Sequence, residues 1–163
     1  MTAIDVIDLY TKLEDRGIKI WIDGGWAVDA LLGEQTREHQ DLDIAIERKD
    51  ISSLKEYLAD LGFEEIKRDE DKMWDMVLKD KFGKEIEVHA FDIDLNKNIV
   101  EEDDWGGYSA GSLKGMGMID GHRVRSVSLD QLIKTHNKNK RTLKEKDMLD
   151  MEALSTHFGI IFL

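Results

Sequence analysis

The chain contains no cysteine and no proline. Without cysteine, disulfides, zinc–thiolate sites and thiol nucleophiles are excluded. Without proline, helix ends must be marked by capping side chains and glycines. No apolar run reaches the roughly eighteen residues a membrane helix needs. The N-terminus lacks a basic-then-apolar secretion pattern, so a reducing cytoplasm is the expected address. Positive charge is also scarce: 23 Lys+Arg stand against 35 Asp+Glu, a net −12. That balance disfavours a grip on bare nucleic-acid phosphates. It suits a cationic small molecule or a metal ion. The 163 residues allow one compact domain, or two small lobes sharing a core.

The patterning that remains is α/β. Thr2 with Asp5 opens an amphipathic stretch through Ile4, Ile7, Tyr10 and Leu13, and Gly17 closes it. The β-branched run Ile18–Ile22 predicts a strand that enters Gly24-Gly25, followed at once by a short helix from Trp26 to Leu32. Asp41 to Glu47 alternates acidic and apolar residues as a second strand, and Asp50 is the expected cap of a helix ending at Gly62. Phe63–Lys67, Met73–Lys79 and Lys84–Asp92 read as further strands, the last two joined by a hairpin turn at residues 80–83. Residues 93–111 form a polar, acidic, glycine-dotted loop, a length that is often functional. Asp120-Gly121 marks another hairpin, and two helices finish the chain, opened by Ser128 with Gln131 and by Thr142 with Glu145. The expectation is a mixed sheet flanked by helices over residues 1–93. A smaller, mainly helical lobe over 94–163 would carry the loop, the hairpin and the last two helices.

Three features carry chemistry. A glycine pair between strand and helix lets a bound group approach the backbone, with unpaired N–H donors of the helix start facing it. It is neither a P-loop nor a dinucleotide fingerprint, because no Lys-Ser/Thr and no third glycine follow. Asp41 and Asp43, two apart on a strand, project from one face with about 6.5–7 Å between their Cα atoms. Such like charges repel unless a cation lies between them, and Mg²⁺ shared with substrate phosphates fits that place. The same spacing at Asp69/Asp71 and Asp92/Asp94 falls in charged, turn-like sequence and reads as solvated. On the later strand, Glu85, Glu87 and His89 share one face. Glu87 is the central third acid and His89 a secondary contact, with Glu85 an exposed strand residue. Met73, Trp74 and Met76 read as core or dimer contacts, and His122, His136 and His157 as structural or surface groups, since they lack metal-ligand spacing.

The combination Gly24-Gly25-Trp26-x-x-Asp29, Arg37-x-His39-x-Asp41-x-Asp43 and Glu87-x-His89 resembles the small antibiotic nucleotidyltransferases of the polymerase-β-like superfamily. Trp21–Gly33, the glycine-dotted stretch Gly115–Gly121 and Lys144-x-Lys146-Asp147-x-x-Asp150 are most similar to the lincosamide nucleotidyltransferases. The aminoglycoside 2″-nucleotidyltransferases share the first two motifs. The resemblance implies a polymerase-β-like nucleotidyltransferase fold and Mg²⁺-dependent transfer of AMP from ATP to a drug hydroxyl, with release of pyrophosphate. It implies one or two Mg²⁺ ions on Asp41, Asp43 and Glu87, leaving open whether Glu87 is ligand, general base or both. Gly24, Gly25, Arg37 and Lys146 would then meet the nucleotide, and His89, Trp105 and Tyr108 the antibiotic. A lincosamide acceptor is the leading expectation and an aminoglycoside the second. A toxin–antitoxin-type enzyme acting on protein or tRNA is a third, which the acidic balance disfavours for tRNA. A homodimer is expected, since small relatives complete the drug pocket from a partner subunit. No nucleic-acid or membrane partner is expected.

Overall fold

The computed structural model describes residues 1–67, 75–100, 107–136 and 142–161. Helix α1 (Ala3–Asp15) begins where Thr2 Oγ1 accepts from the Asp5 amide while the Asp5 carboxylate accepts from the Thr2 amide. This reciprocal cap satisfies two N–H groups that a helix start leaves orphaned. Strand β1 (Ile20–Asp23) starts two residues later than its β-branched run, and runs directly into α2 (Gly24–Leu32). Asp23 caps that helix by accepting from the Gly24 amide, which is why α2 starts at the glycines rather than at Trp26. Strand β2 (Asp41–Glu47) and helix α3 (Ile51–Asp60) follow. Asp50 does not cap α3 with its side chain, because it is already the last residue of a short 3₁₀ turn, Arg48–Asp50.

Strands β3 (Phe63–Ile66), β4 (Asp75–Asp80) and β5 (Glu85–Phe91) come next. At the turn between β4 and β5, Asp80 Oδ1 accepts from the amides of Phe82 and Lys84. Met73 and Trp74 lie outside the described residues. Strands β6 (Gly115–Ile119) and β7 (His122–Ser126) form a hairpin in which Asp120 and Gly121 both take positive φ, 47° and 77°. That pair of left-handed residues matches the twist of the flanking strands. Helix α4 (Leu129–Thr135) is capped by Ser128 Oγ, which accepts from the Gln131 amide. Helix α5 (Glu145–Phe158) begins later than Thr142 would place it. The Asp147 carboxylate accepts from the Lys144 amide and sets the start there.

The seven strands among the described residues form one mixed sheet in the order β3-β4-β5-β2-β1-β7-β6. Its centre is β5 parallel to β2 and β2 antiparallel to β1. The hairpin β6–β7, from the second half of the chain, joins the same sheet through β7 parallel to β1. Leu42, Ile44 and Ile46 of β2, Ile20 and Ile22 of β1 and Ile86 and Val88 of β5 are fully buried on one face. Burying each such side chain is worth about 1.5–3 kcal/mol. A one-residue slip of β2 would exchange these groups for Asp41 and Asp43, so hydrophobic burial fixes the register that places the acids. Helix α2 packs against β6 where Gly117 has no side chain, and a Cβ there would overlap the backbone of Ala30. Among the described residues no helix is long and apolar enough to cross a membrane.

Candidate active site

The opposite face of the three central strands carries the polar groups. Asp43 of β2 is the register partner of Glu87 on β5 and of Asp23 on β1. The next row holds Ala45, His89 and, on β4, Asp75. Cross-strand partners point the same way, so Asp23, Asp43, Glu87, His89 and Asp75 share one surface. Ligand atoms of Asp43, Glu87 and His89 all lie within 4.8 Å of one another, as a divalent cation would require. The two carboxylates suit a hard divalent ion such as Mg²⁺ or Mn²⁺, and His89 could join them as a ligand only as the neutral imidazole. Asp41 stands one side-chain step along β2, paired in register with Glu85, and its Oδ2 faces Lys146 Nζ of α5 at 3.3 Å. Glu85 is held by Lys79 Nζ at 2.6 Å.

His89 is fixed from one side by Asp75, with Nδ1 to Oδ1 at 2.9 Å, and turns Nε2 toward Asp43 Oδ1 at 3.9 Å. Burial disfavours its charge, but the nearby Asp43 carboxylate, the hydrogen bond to Asp75 and the charge of Asp23 outweigh burial. Its pKa lies well above 6.5. Burial pushes the Asp23 carboxyl up, against the His89 charge and a hydrogen bond that Tyr108 Oη donates to Oδ2 at 2.6 Å. Burial and the neighbouring Asp23 push the Tyr108 hydroxyl well above 10, so it stays a donor. Tyr108 itself is buried, edge-on to Phe91, which is edge-on to Trp21. These rings wall the acidic row on one side. Trp105 and the acids at 101–104 lie outside the described residues.

The two glycines of the bend are required by what lies against them. Gly24 has φ 57°, and a Cβ there would overlap the Asp43 carboxylate. A Cβ on Gly25 would overlap Arg37 Nη2 and the His39 ring. His39 is 5% exposed, bonds Asp29 through Nε2 and stacks on Trp26 with ring centroids 4.4 Å apart. Asp29 Oδ1 also accepts from the Thr36 amide and hydroxyl at 3.0 and 2.7 Å. Arg37 donates through Nε and Nη2 to both oxygens of Asp150 on α5. The motif Arg37-x-His39-x-Asp41-x-Asp43 therefore has two jobs. Its first two members pack the bend, and its last two face the polar surface.

Sequence reasoning named the acid pair, Glu87 and His89, but not Asp23 or Asp75 as members of the same surface. Alternation within β1 or β4 does not single them out; they join because β1 and β4 pair beside the central strands, Asp23 opposite Asp43 and Asp75 opposite His89. His136, read as structural or surface, is buried. Its Nδ1 donates to the Leu132 carbonyl at 2.8 Å, and its Nε2 stands 4.0 and 3.8 Å from Asp147 and Asp150.

The architecture is shared with enzymes of known structure. The lincosamide antibiotic adenylyltransferase LnuA, lincomycin-bound, superposes with a TM-score of 0.80 at 23% identity, covering 96% of this chain and 98% of that one. ANT(2″)-Ia in complex with adenylyl-2″-tobramycin superposes with a TM-score of 0.79 at 18% identity, over 96% and 89% of the two chains. At those identities the likeness establishes a nucleotidyltransferase fold. In sequence, a lincosamide resistance protein of Staphylococcus haemolyticus is 36% identical over 58 residues, 36% of this chain and 34% of that protein. A 2″-aminoglycoside nucleotidyltransferase of Escherichia coli is 38% identical over 56 residues, 32% of each chain. The aligned stretch thus spans about a third of the length of these curated relatives. Residues 5–154 match the aminoglycoside-2″-adenylyltransferase family as a whole, and the chain belongs to that family.

Proposed function

We propose that the chain transfers a nucleoside monophosphate, AMP from ATP, to a hydroxyl of a lincosamide antibiotic. In this reaction an O–P bond forms between the acceptor oxygen and the α-phosphorus. The bond from that phosphorus to the β-phosphate bridging oxygen breaks, and pyrophosphate leaves. The observation that carries the reading is the register of Asp43 with Glu87, which sets two carboxylates and His89 around one cation-sized space beside the Gly24-Gly25 bend. Asp43 and Glu87 would hold Mg²⁺, with Asp41 completing the set once Lys146 turns from it to the nucleotide phosphates. The ion supplies, when bound, charge stabilisation for the attacking and leaving oxygens of an in-line displacement.

The remaining work falls to the chain. Glu87 takes the acceptor's hydroxyl proton, a step within the usual reach of a general base. Lys146 faces the negative charge that accumulates on pyrophosphate. Gly24 and Gly25 allow the triphosphate to approach the start of α2, whose N–H groups favour an anion. Tyr108 and His89 face the acceptor, and Trp105 with the acids at 101–104 would, by the resemblance, supply apolar and acidic contacts to a cationic sugar-bearing drug. Residues 1–93 act as the catalytic lobe, and 94–163, the C-terminal lobe with the hairpin and the last two helices, adds Lys146 to it, in a cytoplasmic homodimer.

An aminoglycoside acceptor is the second reading, favoured by the family matched and by the net charge of −12. The test incubates the protein with ATP, Mg²⁺ and a panel of lincosamides and aminoglycosides, and follows each compound by mass spectrometry. An added AMP on a lincosamide is expected. An adduct on aminoglycosides alone would transfer the assignment to them, and no adduct on any compound would overturn the antibiotic reading.

A further inference from the structure

Asp150 lies on α5, 113 residues from Arg37 in sequence, and is 2% exposed. Its two oxygens accept from Arg37 Nε at 2.7 Å and Nη2 at 2.8 Å. This is the bidentate, charge-assisted geometry that fixes a guanidinium plane. Arg37 Nη1 donates to the Glu38 carbonyl at 3.1 Å. Each Nη keeps a further N–H, and Nη2 is the atom that a Cβ on Gly25 would strike. Burial opposes the charge on Asp150, but Arg37 and His136 outweigh it and hold the carboxyl below its ordinary value. His39 presses on the same glycine from a ring locked by Asp29 and Trp26.

A buried ion pair is a weak source of net stability, because desolvation consumes most of the attraction. The Arg37–Asp150 fork therefore needs a reason other than strength, and its contact with Gly25 supplies one. We propose that Asp150 is a positioning residue for the nucleotide: through Arg37 it sets the Gly24-Gly25 bend and aims the remaining guanidinium N–H groups at a triphosphate there. The inference rests on the nucleotide-transfer reading above. It makes α5 the element that ties the end of the chain to the glycine bend, with Lys146 and Asp150 one turn apart on the same helix.

Asp150→Asn keeps the shape and removes the charge. In ligand-free protein it is expected to shift the amide resonances of Gly24 and Gly25 in a ¹⁵N–¹H spectrum. It is also expected to raise the Kd and KM for ATP with Mg²⁺ about tenfold or more, leaving the acceptor KM unchanged. Asp150→Glu, which keeps the charge but displaces the fork, should fall between the two. Leu154→Ala, a core truncation on the same helix, should lower the Tm without moving the ATP KM. If Asp150→Asn lowers the Tm but leaves the Gly25 amide and the ATP KM at wild-type values, Asp150 is structural only and the proposal is overturned. Should Asp150→Asn not fold, Asp150→Glu decides, with wild-type values again overturning it. A wild-type protein that binds no nucleotide triphosphate would instead sink the proposed function itself. An unmoved Gly25 amide in a protein that does bind ATP removes only the role of Asp150.

Discussion

Asp43 and Glu87 are register partners on two parallel strands, so their carboxylates leave the sheet side by side. Two acids in that relation act as one centre if they share a cation, and as two independent surface groups if they do not. Asp43→Asn and Glu87→Gln each keep the shape while removing one charge. Each is expected to lower pyrophosphate release by at least about 10²–10³-fold. The double variant should be little worse than the poorer single one, because groups that act as a unit are strongly non-additive. Multiplicative losses in the double variant would show that the two acids do not serve one centre.

Gly24 is held at φ 57° with the Asp43 carboxylate where a side chain would start. Gly24→Ala then faces two costs, of which the left-handed backbone alone is about 1–2 kcal/mol. The second is displacement of Asp43, which would reach activity before it reaches the fold. Urea titration should show a lowered midpoint, and turnover should fall by more than the loss of folded protein accounts for. Wild-type turnover in Gly24→Ala would mean that the bend tolerates a side chain and that Asp43 does not need its present position.

Much of this was legible in the sequence because the period of the strands is short and rigid. Alternation in Asp41–Glu47 and Glu85–Phe91 put Asp41, Asp43, Glu87 and His89 on one face of each strand before any pairing was known. What alternation cannot supply is which strands are neighbours, and Asp23 and Asp75 join the polar surface only through β1 and β4 beside the central pair. The glycines were legible as a close approach, but not as an approach by Asp43, Arg37 and His39, which is a tertiary fact. The start of α5 shifted for a local reason. Asp147 competes with Thr142 for the cap and wins through the Lys144 amide.

Asp5 offers a pH test remote from the site. Burial opposes its charge, but the Lys84 ammonium at 2.7 Å and hydrogen bonds from Thr2 outweigh it and bring the carboxyl to about 2. The folded pKa is thus below the unfolded value of about 3.9. Its stabilisation is fully present above the unfolded value and is lost as pH falls through the folded one. Denaturant midpoints measured from pH 5 down to pH 2 should decline less steeply in Asp5→Asn than in the wild type. Parallel declines would show that the Thr2–Asp5–Lys84 cluster contributes no linked stability.

Ser126 ends β7 beside Ile22, is fully buried, and its Oγ has no hydrogen-bond partner among the described residues. A buried hydroxyl without a partner costs about 1–3 kcal/mol relative to one that is paired. Ser126→Ala removes the oxygen and leaves the methylene, so the expected change is a gain of about 1 kcal/mol, with no loss of activity because the face is the apolar one. The gain should be visible as a higher Tm with unchanged ATP KM. A loss of stability instead would mean that the hydroxyl does have a partner, such as a bound water. The junction of β7 with β1 would then gain a side-chain polar contact beside its backbone hydrogen bonding.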